Sequence, residues 1–143
     1  MNIKHLIKQL DSDDPQIRNS SALKLKEIGS NDAVKPLIQN ILKDKNKTNS
    51  GSMVYALWDL DCSDHFVDLF KIYFYRSYEC KVKINYILNH QDFHYNKDDM
   101  EYITKLWEEC KTNNELCPAY NDIKDCIQKD IDDFWNILNQ KQV

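Results

Sequence analysis

The sequence predicts an all-α protein, a right-handed α-solenoid of about four antiparallel helix pairs. Only two glycines and three prolines occur among 143 residues, so tight turns between strands would lack their preferred residues. Apolar residues recur at spacings of three and four along most of the chain, as on one face of a helix. A shift of 32 positions aligns the sequence with itself, pairing Leu25 with Leu57 and Leu37 with Leu69. A period of this length, built from helix pairs, is typical of an α-solenoid.

The first three helices are predicted from apolar spacing and from residues that begin or end helices. The first helix is short, and its apolar positions are Ile3, Leu6, Ile7 and Leu10. Asp14 is the expected N-cap of the second helix, with Pro15 as its first residue and Gly29 as its C-cap. The predicted inner face of that helix comprises Ile17, Ser21, Leu25 and Ile28. The third helix begins near Asn31 or Asp32, and its inner face comprises Val34, Leu37, Ile38, Ile41 and Leu42.

The middle of the chain contains a polar loop and an aromatic helix. Residues 43–52 are polar throughout and form the clearest predicted loop. In the segment 65–78, four aromatic residues fit one helical face and are predicted to be core: Phe66, Phe70, Tyr73 and Phe74. The next helix, residues 78–90, has two candidate buried faces. One consists of Val82 and Tyr86, and the other of Ile84, Ile87 and Leu88.

Two further helices complete the prediction. The first has the apolar positions Met100, Ile103, Leu106 and Trp107. The closing helix is long, could start at Pro118, and has the apolar positions Ile123, Ile127, Ile131, Phe134, Trp135 and Leu138. We therefore expect one domain over residues 1–143, with repeat-like units at about 1–29, 31–61, 63–92 and 97–141.

These units resemble HEAT repeats of the short bacterial type. That pattern is roughly D-x-x-P-x-[IV]-R, a small residue and Leu, then "IG", a polar turn with Asp, and a partner helix. The chain matches it across residues 11–44 at Asp13 or Asp14, Pro15, Ile17, Arg18, Ala22, Leu25, Ile28, Gly29, Asp32, Ala33, Leu37 and Ile38. The match continues over residues 53–74, where the proline and arginine are absent and Asp61 replaces the glycine. Beyond residue 78 the later units are predicted from helical periodicity alone.

Charge and hydropathy narrow the class of partner. Residues 98–143 hold 11 acidic and 5 basic residues, against 12 and 14 in residues 1–97. An acidic segment repels phosphates and attracts a basic protein, so we expect a protein partner and no nucleic acid.

No apolar run approaches the roughly 20 residues of a membrane span, and the N-terminus turns polar too early for a signal peptide. We therefore expect a cytoplasmic protein without membrane contact, monomeric when free.

Residue types used in catalysis and metal binding show no matching pattern. His90 and His94 are four residues apart, but no third ligand lies nearby in the sequence, so we expect no metal site. The cysteines form no CxxC pair and are predicted to be reduced, mostly packed thiols: Cys62, Cys80, Cys110, Cys117 and Cys126. Two glycines cannot supply a glycine-rich phosphate loop. We expect no catalytic residue and no cofactor.

Two groups of residues are candidates for binding a protein partner. Tyr75, Arg76 and Tyr78 follow the predicted aromatic core face and belong to residue types enriched at binding hot spots, so they form the predicted anchor. The acidic residues of the last two helices form a predicted steering field, because charges at an interface rim mainly change the association rate. These acidic residues are Glu101, Glu108, Glu109, Asp125, Asp132 and Asp133.

The resemblance to short HEAT solenoids implies a non-enzymatic protein-binding module. A small acidic protein of this kind is similar to bacterial immunity proteins, which block a toxin domain by covering it, and such toxins are often basic nucleases. The leading hypothesis is therefore an immunity protein that neutralises a cognate toxin by direct binding. A generic adaptor or scaffold is the alternative. A further alternative is a small metal- or thiol-dependent enzyme that uses His90, His94 and the cysteines.

Overall fold

The computed structural model describes residues 2–141, and the regular structure in that range is helical throughout. The all-α prediction is confirmed, since eight α-helices and three single-turn 3₁₀ helices, and no strand, occur among those residues. The α-helices are α1 (Ile3–Gln9), α2 (Pro15–Ile28), α3 (Val34–Ile41), α4 (Gly51–Leu57), α5 (Phe66–Tyr75), α6 (Tyr78–His90), α7 (Lys97–Thr112) and α8 (Tyr120–Gln140). The 3₁₀ helices are Asn31–Ala33, Asp44–Asn46 and Asn114–Leu116. No helix in the described range is long and apolar enough to cross a membrane.

Helix boundaries follow local sequence signals at most positions. The Asp14 side chain accepts a hydrogen bond from the Gln16 backbone N–H at 2.9 Å, and Pro15 is the first residue of α2. Gly29 ends α2 with a φ of 72°, a conformation that glycine adopts without a steric penalty. The start of α8 differs from the expectation at Pro118. Ala119 precedes α8 with a φ of 56°, so the helix begins only at Tyr120.

The predicted inner face of α2 is wrong at both ends. Ile17 and Ile28 are each 41% exposed. The buried residues of α2 are instead Arg18, Ser21, Ala22 and Leu25. Arg18 can lie on this side because its Nη1 atom donates a hydrogen bond to the Ser12 carbonyl at 2.7 Å. The inward face of α2 thus contains small and hydrogen-bonded polar side chains where β-branched residues were expected.

Helix α5 supplies much of the apolar core. Its buried residues are Phe66, Leu69, Phe70, Ile72, Tyr73 and Phe74, which confirms the predicted aromatic face. Phe66 stacks on Tyr95 with ring centroids 4.3 Å apart, and Phe74 stacks on Trp107 with centroids 5.7 Å apart. On α6 the second candidate face is the correct one, because Ile84, Ile87 and Leu88 are buried. Val82 and Tyr86 of the first candidate face are exposed.

The helices contact one another in a regular order. Each odd-numbered helix packs against the even-numbered helix that follows it in the chain. The even-numbered helices α2, α4, α6 and α8 also contact one another in sequence, as do α3, α5 and α7. Because α4 and α6 are direct neighbours, the exposed side chains of these two helices form a shared surface.

A buried polar network joins α5, α6 and α8. The Asp130 carboxylate, on a residue only 3% exposed, accepts a hydrogen bond from the Tyr73 hydroxyl at 2.7 Å. It also accepts from the side-chain amides of Asn85 at 2.8 Å and Asn89 at 3.1 Å. Burial, reinforced by the bond to Asp130, raises the pKa of Tyr73, so the phenol remains a donor. One carboxylate therefore satisfies three donors from two other helices.

Candidate protein-binding surface

The structure separates the predicted anchor residues. Arg76 is 5% exposed, and its Nε atom donates a hydrogen bond to the Ile41 carbonyl at the end of α3, at 2.7 Å. Tyr75 is half-buried, and its burial raises the pKa of its hydroxyl to about 12. Both residues line a groove of about 510 Å³, but Tyr78, which is 50% exposed on α6, is not among the lining residues. Because the Arg76 side chain forms a buried hydrogen bond to α3, substituting it would lower the stability of the protein as well as change any binding.

The predicted acidic field lies on the adjacent helices α7 and α8. Five of its six residues are exposed and Asp133 is half-buried. Some of these carboxylates have partners, since Glu108 Oε1 lies 2.7 Å from Lys111 Nζ and Asp133 Oδ2 lies 2.7 Å from Lys129 Nζ. Surface ion pairs of this kind add little stability, but they cancel part of the local field. The acidic surplus of this segment still makes it the more negative part of the chain.

An exposed aromatic row crosses α4 and α6, and the sequence reasoning missed it. The row consists of Tyr55, Trp58, Tyr86 and His90. Trp58 lies between two tyrosines, with ring centroids 5.5 Å from Tyr55 and 4.2 Å from Tyr86. Tyr86 in turn stacks on His90 with centroids 3.8 Å apart. Trp58 is half-buried while the other three side chains are exposed, so the row is a surface feature beside the core.

Beside the aromatic row lies a groove of about 700 Å³, which we call the acidic groove. Its lining includes three members of the row and three aspartates: Trp58, Tyr86, His90, Asp59, Asp61 and Asp92. None of the described residues that line it is a lysine or an arginine. Asp59 Oδ2 pairs with Lys26 Nζ at 2.7 Å. The Ser63 side chain and backbone N–H hold the pKa of the Asp61 carboxyl below its usual value, so this group stays ionised.

Hydrogen bonds between loops hold the acidic groove in shape. Gln91, after the end of α6, donates to the Leu60 carbonyl at 2.9 Å and accepts from the Cys62 backbone N–H at 2.9 Å. The Asn31 side chain accepts a hydrogen bond from the Asp61 backbone N–H at 2.9 Å. The α2–α3, α4–α5 and α6–α7 connections are therefore joined by hydrogen bonds between side chains and backbone. The groove does not depend on a partner to acquire its shape.

A sequence signal for this surface does exist. The 32-residue shift that pairs the core leucines also places Lys26, Trp58 and His90 at equivalent positions. In the structure Lys26 reaches the row at Tyr55, where its Nζ atom lies 4.8 Å from the ring centre, and the other two belong to the row itself. Lys26 and Trp58 are half-buried and His90 is exposed, so these positions follow one edge of the core at the period of the core. The pairs from which the shift was recognised were apolar positions and the turn residues Asp32 and Asp64, so they did not indicate this face.

His90 and His94 are used in different contacts. His90 stacks on Tyr86, and its Nδ1 atom lies 2.8 Å from the Tyr86 carbonyl oxygen. His94 Nδ1 lies 2.7 Å from Asp64 Oδ1. Within residues 2–141, no group of three or more His, Cys, Asp or Glu side chains is arranged to hold a metal ion. His90 therefore belongs to the aromatic row, and His94 pairs with the α4–α5 loop.

No family model, curated protein or solved structure matches this chain. The chemistry of the acidic groove must therefore be argued from its own residues. Tryptophan and tyrosine faces attract cations, and ionised carboxylates form charge-assisted hydrogen bonds with lysine and arginine. A groove that combines aromatic side chains with aspartates has the chemistry to bind a positively charged group.

Proposed function

We propose that the chain is a HEAT-like α-solenoid of four helix pairs that binds a basic protein partner and carries out no catalysis. Its best specific role is that of an immunity protein in the cytoplasm, which neutralises a cognate bacterial toxin by covering it. A basic nuclease is the toxin that best fits its charge. The observation that carries the binding proposal is the aromatic row beside the acidic groove.

The order of helix contacts supports the solenoid proposal. Successive antiparallel pairs stack in an α-solenoid, so each helix meets its pair mate and the corresponding helices of neighbouring pairs. The contacts among α2, α4, α6 and α8, and those among α3, α5 and α7, follow that scheme. Stacked pairs present extended surfaces across several helices. The aromatic row, which runs from α4 to α6, is a surface of that kind.

The proposed contact is a lysine or arginine of the partner at the acidic groove. One end of the aromatic row already shows this chemistry, because Lys26 Nζ lies 4.8 Å from the centre of the Tyr55 ring. The rest of the row, Trp58, Tyr86 and His90, lines the groove next to aspartates. A cation at an aromatic ring contributes about 0.5 to 2 kcal/mol, more as it is desolvated. Tryptophan and tyrosine are also the residues that most often dominate a protein interface.

The identity of the partner as a toxin is supported by the resemblance to short bacterial HEAT repeats and by the acidic charge. An adaptor or scaffold would bind through the same surface, so the two roles differ in the partner and not in the contact. Inhibition of a toxic enzyme by the purified chain separates them. An adaptor would bind its partner and leave the partner's activity unchanged.

The Trp58→Ala variant tests the binding proposal. The probe is the protein encoded by the gene next to this one, purified and immobilised, with association and dissociation measured by surface kinetics. We expect Trp58→Ala to weaken binding by about 2 kcal/mol, roughly 30-fold in Kd, because it removes the half-buried ring at the centre of the row. The loss should appear mainly in the dissociation rate.

Tyr102→Ala is the matched control, because Tyr102 is an exposed aromatic residue of α7 that does not line the acidic groove. The Kd of this variant should remain within about threefold of the wild-type value, because most surface residues contribute little to binding. Equal losses for Trp58→Ala and Tyr102→Ala would argue against the acidic groove as the site. Inhibition of the neighbour's enzymatic activity at equimolar ratio would support the immunity role.

A charge reversal tests the steering field separately. Changing Asp132 and Asp133 to lysine should slow association with a basic partner several-fold and flatten its dependence on salt, because long-range attraction is screened by ions. The dissociation rate should change little. Reversal of both Asp13 and Glu27, two exposed acids of the N-terminal segment, changes the net charge by the same amount and is the control. If both reversals slow association equally, net charge and not the α7–α8 field directs the encounter.

A further inference from the structure

A second cleft adjoins the acidic groove. It has a volume of about 690 Å³ and lies between the α6–α7 loop and the last turns of α8. Three loop residues, Gln91, Asp92 and His94, line both the cleft and the acidic groove. The two depressions therefore share one wall, and a partner segment that crosses this wall contacts both.

The floor of the cleft is apolar. Leu88, Phe93 and Phe134 line it and are buried, while Ile137 lines it and is 41% exposed. A single exposed apolar residue needs no explanation, but this isoleucine lines a cleft whose deeper residues are apolar as well. A side chain that enters the cleft can therefore remove apolar surface from water, mainly that of Ile137.

Contacts between the α6–α7 loop and its neighbours hold the cleft in shape. The Phe134 ring meets the Tyr95 and Phe93 rings edge-on, with centroids 5.5 Å and 6.3 Å apart. The Tyr95 hydroxyl donates a hydrogen bond to the Phe134 carbonyl at 2.9 Å, which ties the loop to α8. The His94 backbone N–H donates to the Ser63 carbonyl at 3.0 Å, which ties it to the α4–α5 loop. The cleft is therefore formed before a partner binds, and this lowers the entropy cost of binding.

Charge does not decide what the cleft binds. The acids Asp92 and Asp133 line it, and so do the basic residues His94 and Lys141. Asp133 Oδ2 also lies 2.7 Å from Lys129 Nζ. The cleft thus offers mainly apolar contact, while the attraction for a cation comes from the acidic groove. Each depression has the volume of a small-ligand site, so one lysine or arginine side chain cannot fill both.

We propose that one continuous segment of the basic partner occupies both depressions, with a lysine or arginine in the acidic groove and a large apolar side chain in the cleft against Ile137. This contact rests on the proposed function, since the cation must bind in the acidic groove. The apolar residue adds buried area to the complex. The fixed spacing between the two residues separates this partner from other basic proteins, which present a cation alone.

A random peptide library displayed on phage tests the proposal before the partner is known. The purified chain is the bait, beside its variants Trp58→Ala, Ile137→Ala and Ile17→Ala. We expect the wild-type bait to enrich peptides that carry a lysine or arginine and, at a fixed spacing, a large apolar residue. Ile137→Ala should keep the preference for the basic residue and lose that for the apolar one. Ile17 is the matched control, because it is also 41% exposed on a helix and lines neither depression.

Fluorescence anisotropy of a selected peptide then measures the contact. We expect Ile137→Ala to raise Kd about tenfold, because it removes three carbons from an apolar contact, and Ile17→Ala to leave Kd within about threefold. Replacing the apolar residue of the peptide with alanine should weaken binding by a similar factor. Ile137→Ala should then add little to that loss, as expected for two groups that touch each other.

The outcomes separate this contact from the proposed function. Peptides that carry only a basic residue, and bind the wild type and Ile137→Ala equally, would overturn the cleft proposal and leave the proposed function in place. No enrichment, or peptides whose affinity Trp58→Ala does not lower, would contradict both. Equal losses for Ile137→Ala and Ile17→Ala would also overturn the cleft proposal. Sedimentation of the wild type as a dimer that Ile137→Ala dissociates would assign the cleft to a second copy of this chain, against the proposal.

Discussion

Replacing Leu57 with alanine is expected to lower the free energy of unfolding by about 2 to 5 kcal/mol. Leu57 is 0% exposed on α4, a helix that packs against α2, α3 and α6. Truncation removes the apolar contacts of the side chain and leaves a cavity that three neighbouring helices can fill only in part. Urea denaturation followed by circular dichroism measures the loss as a lower midpoint at constant slope.

The same measurement on related positions separates burial from helix propensity. Leu25, Leu37 and Leu69 are also 0% exposed, so their alanine variants should lose stability in the same range. Leu23 of α2 is 40% exposed, and Leu23→Ala should cost less than about 1 kcal/mol. Losses below about 1 kcal/mol at all four buried leucines would contradict their alignment as equivalent core positions.

Asp130→Ala is expected to cost about 3 kcal/mol, at the upper end for a buried hydrogen-bonding group. The reason is that three donors lose their acceptor at once, and one of them, the Tyr73 hydroxyl, belongs to a fully buried residue. A buried donor without a partner has lost its hydrogen bonds to water on folding and gains no bond in the protein to offset that loss. The Tyr73→Phe, Asp130→Ala double variant should lose less than the sum of the two single variants.

A nearby carboxylate on the same helix serves as the control. Asp133 pairs with Lys129 at the surface of α8, and Asp133→Ala should change stability by less than about 1 kcal/mol. Asp130→Asn gives a finer test, because it keeps the shape but replaces one of the two acceptor oxygens with an amide NH₂ group. Tyr73 and Asn85 donate to one oxygen of Asp130 and Asn89 donates to the other, so at least one donor then faces the amide NH₂ group. A cost near zero for Asp130→Asn would show that one acceptor oxygen is enough for the network.

The all-α class and several helix ends could be predicted because their signals are local. Asp14, Pro15 and Gly29 act on backbone groups within a few residues of themselves, and the structure shows all three in the expected roles. The face of α2 could not be predicted as well. Arg18 can lie inward because its guanidinium donates a hydrogen bond to the Ser12 carbonyl, six residues earlier in the chain, and no apolar pattern predicts such a bond.

The binding residues were harder to predict than the core. Arg76 matched the residue types of an interface, yet the end of α3 lies close enough for its guanidinium to bond the Ile41 carbonyl. Trp58 and Tyr86 are far apart in the sequence and meet only because α4 and α6 are neighbours. Composition indicates which residue types bind partners. Which of them remain at the surface depends on helix packing.

The hydrogen bonds of Gln91 affect how the acidic groove can change during evolution. Because Gln91 bonds backbone groups of the α4–α5 loop, these bonds do not depend on which side chains the bonded loop residues carry. Loop residues whose side chains make no bond to the loop backbone, such as Asp59, can therefore be exchanged without changing the backbone that Gln91 holds. A lineage under pressure from changing partners could acquire new recognition by single substitutions at these positions, while the glutamine and the backbone it holds stay as they are.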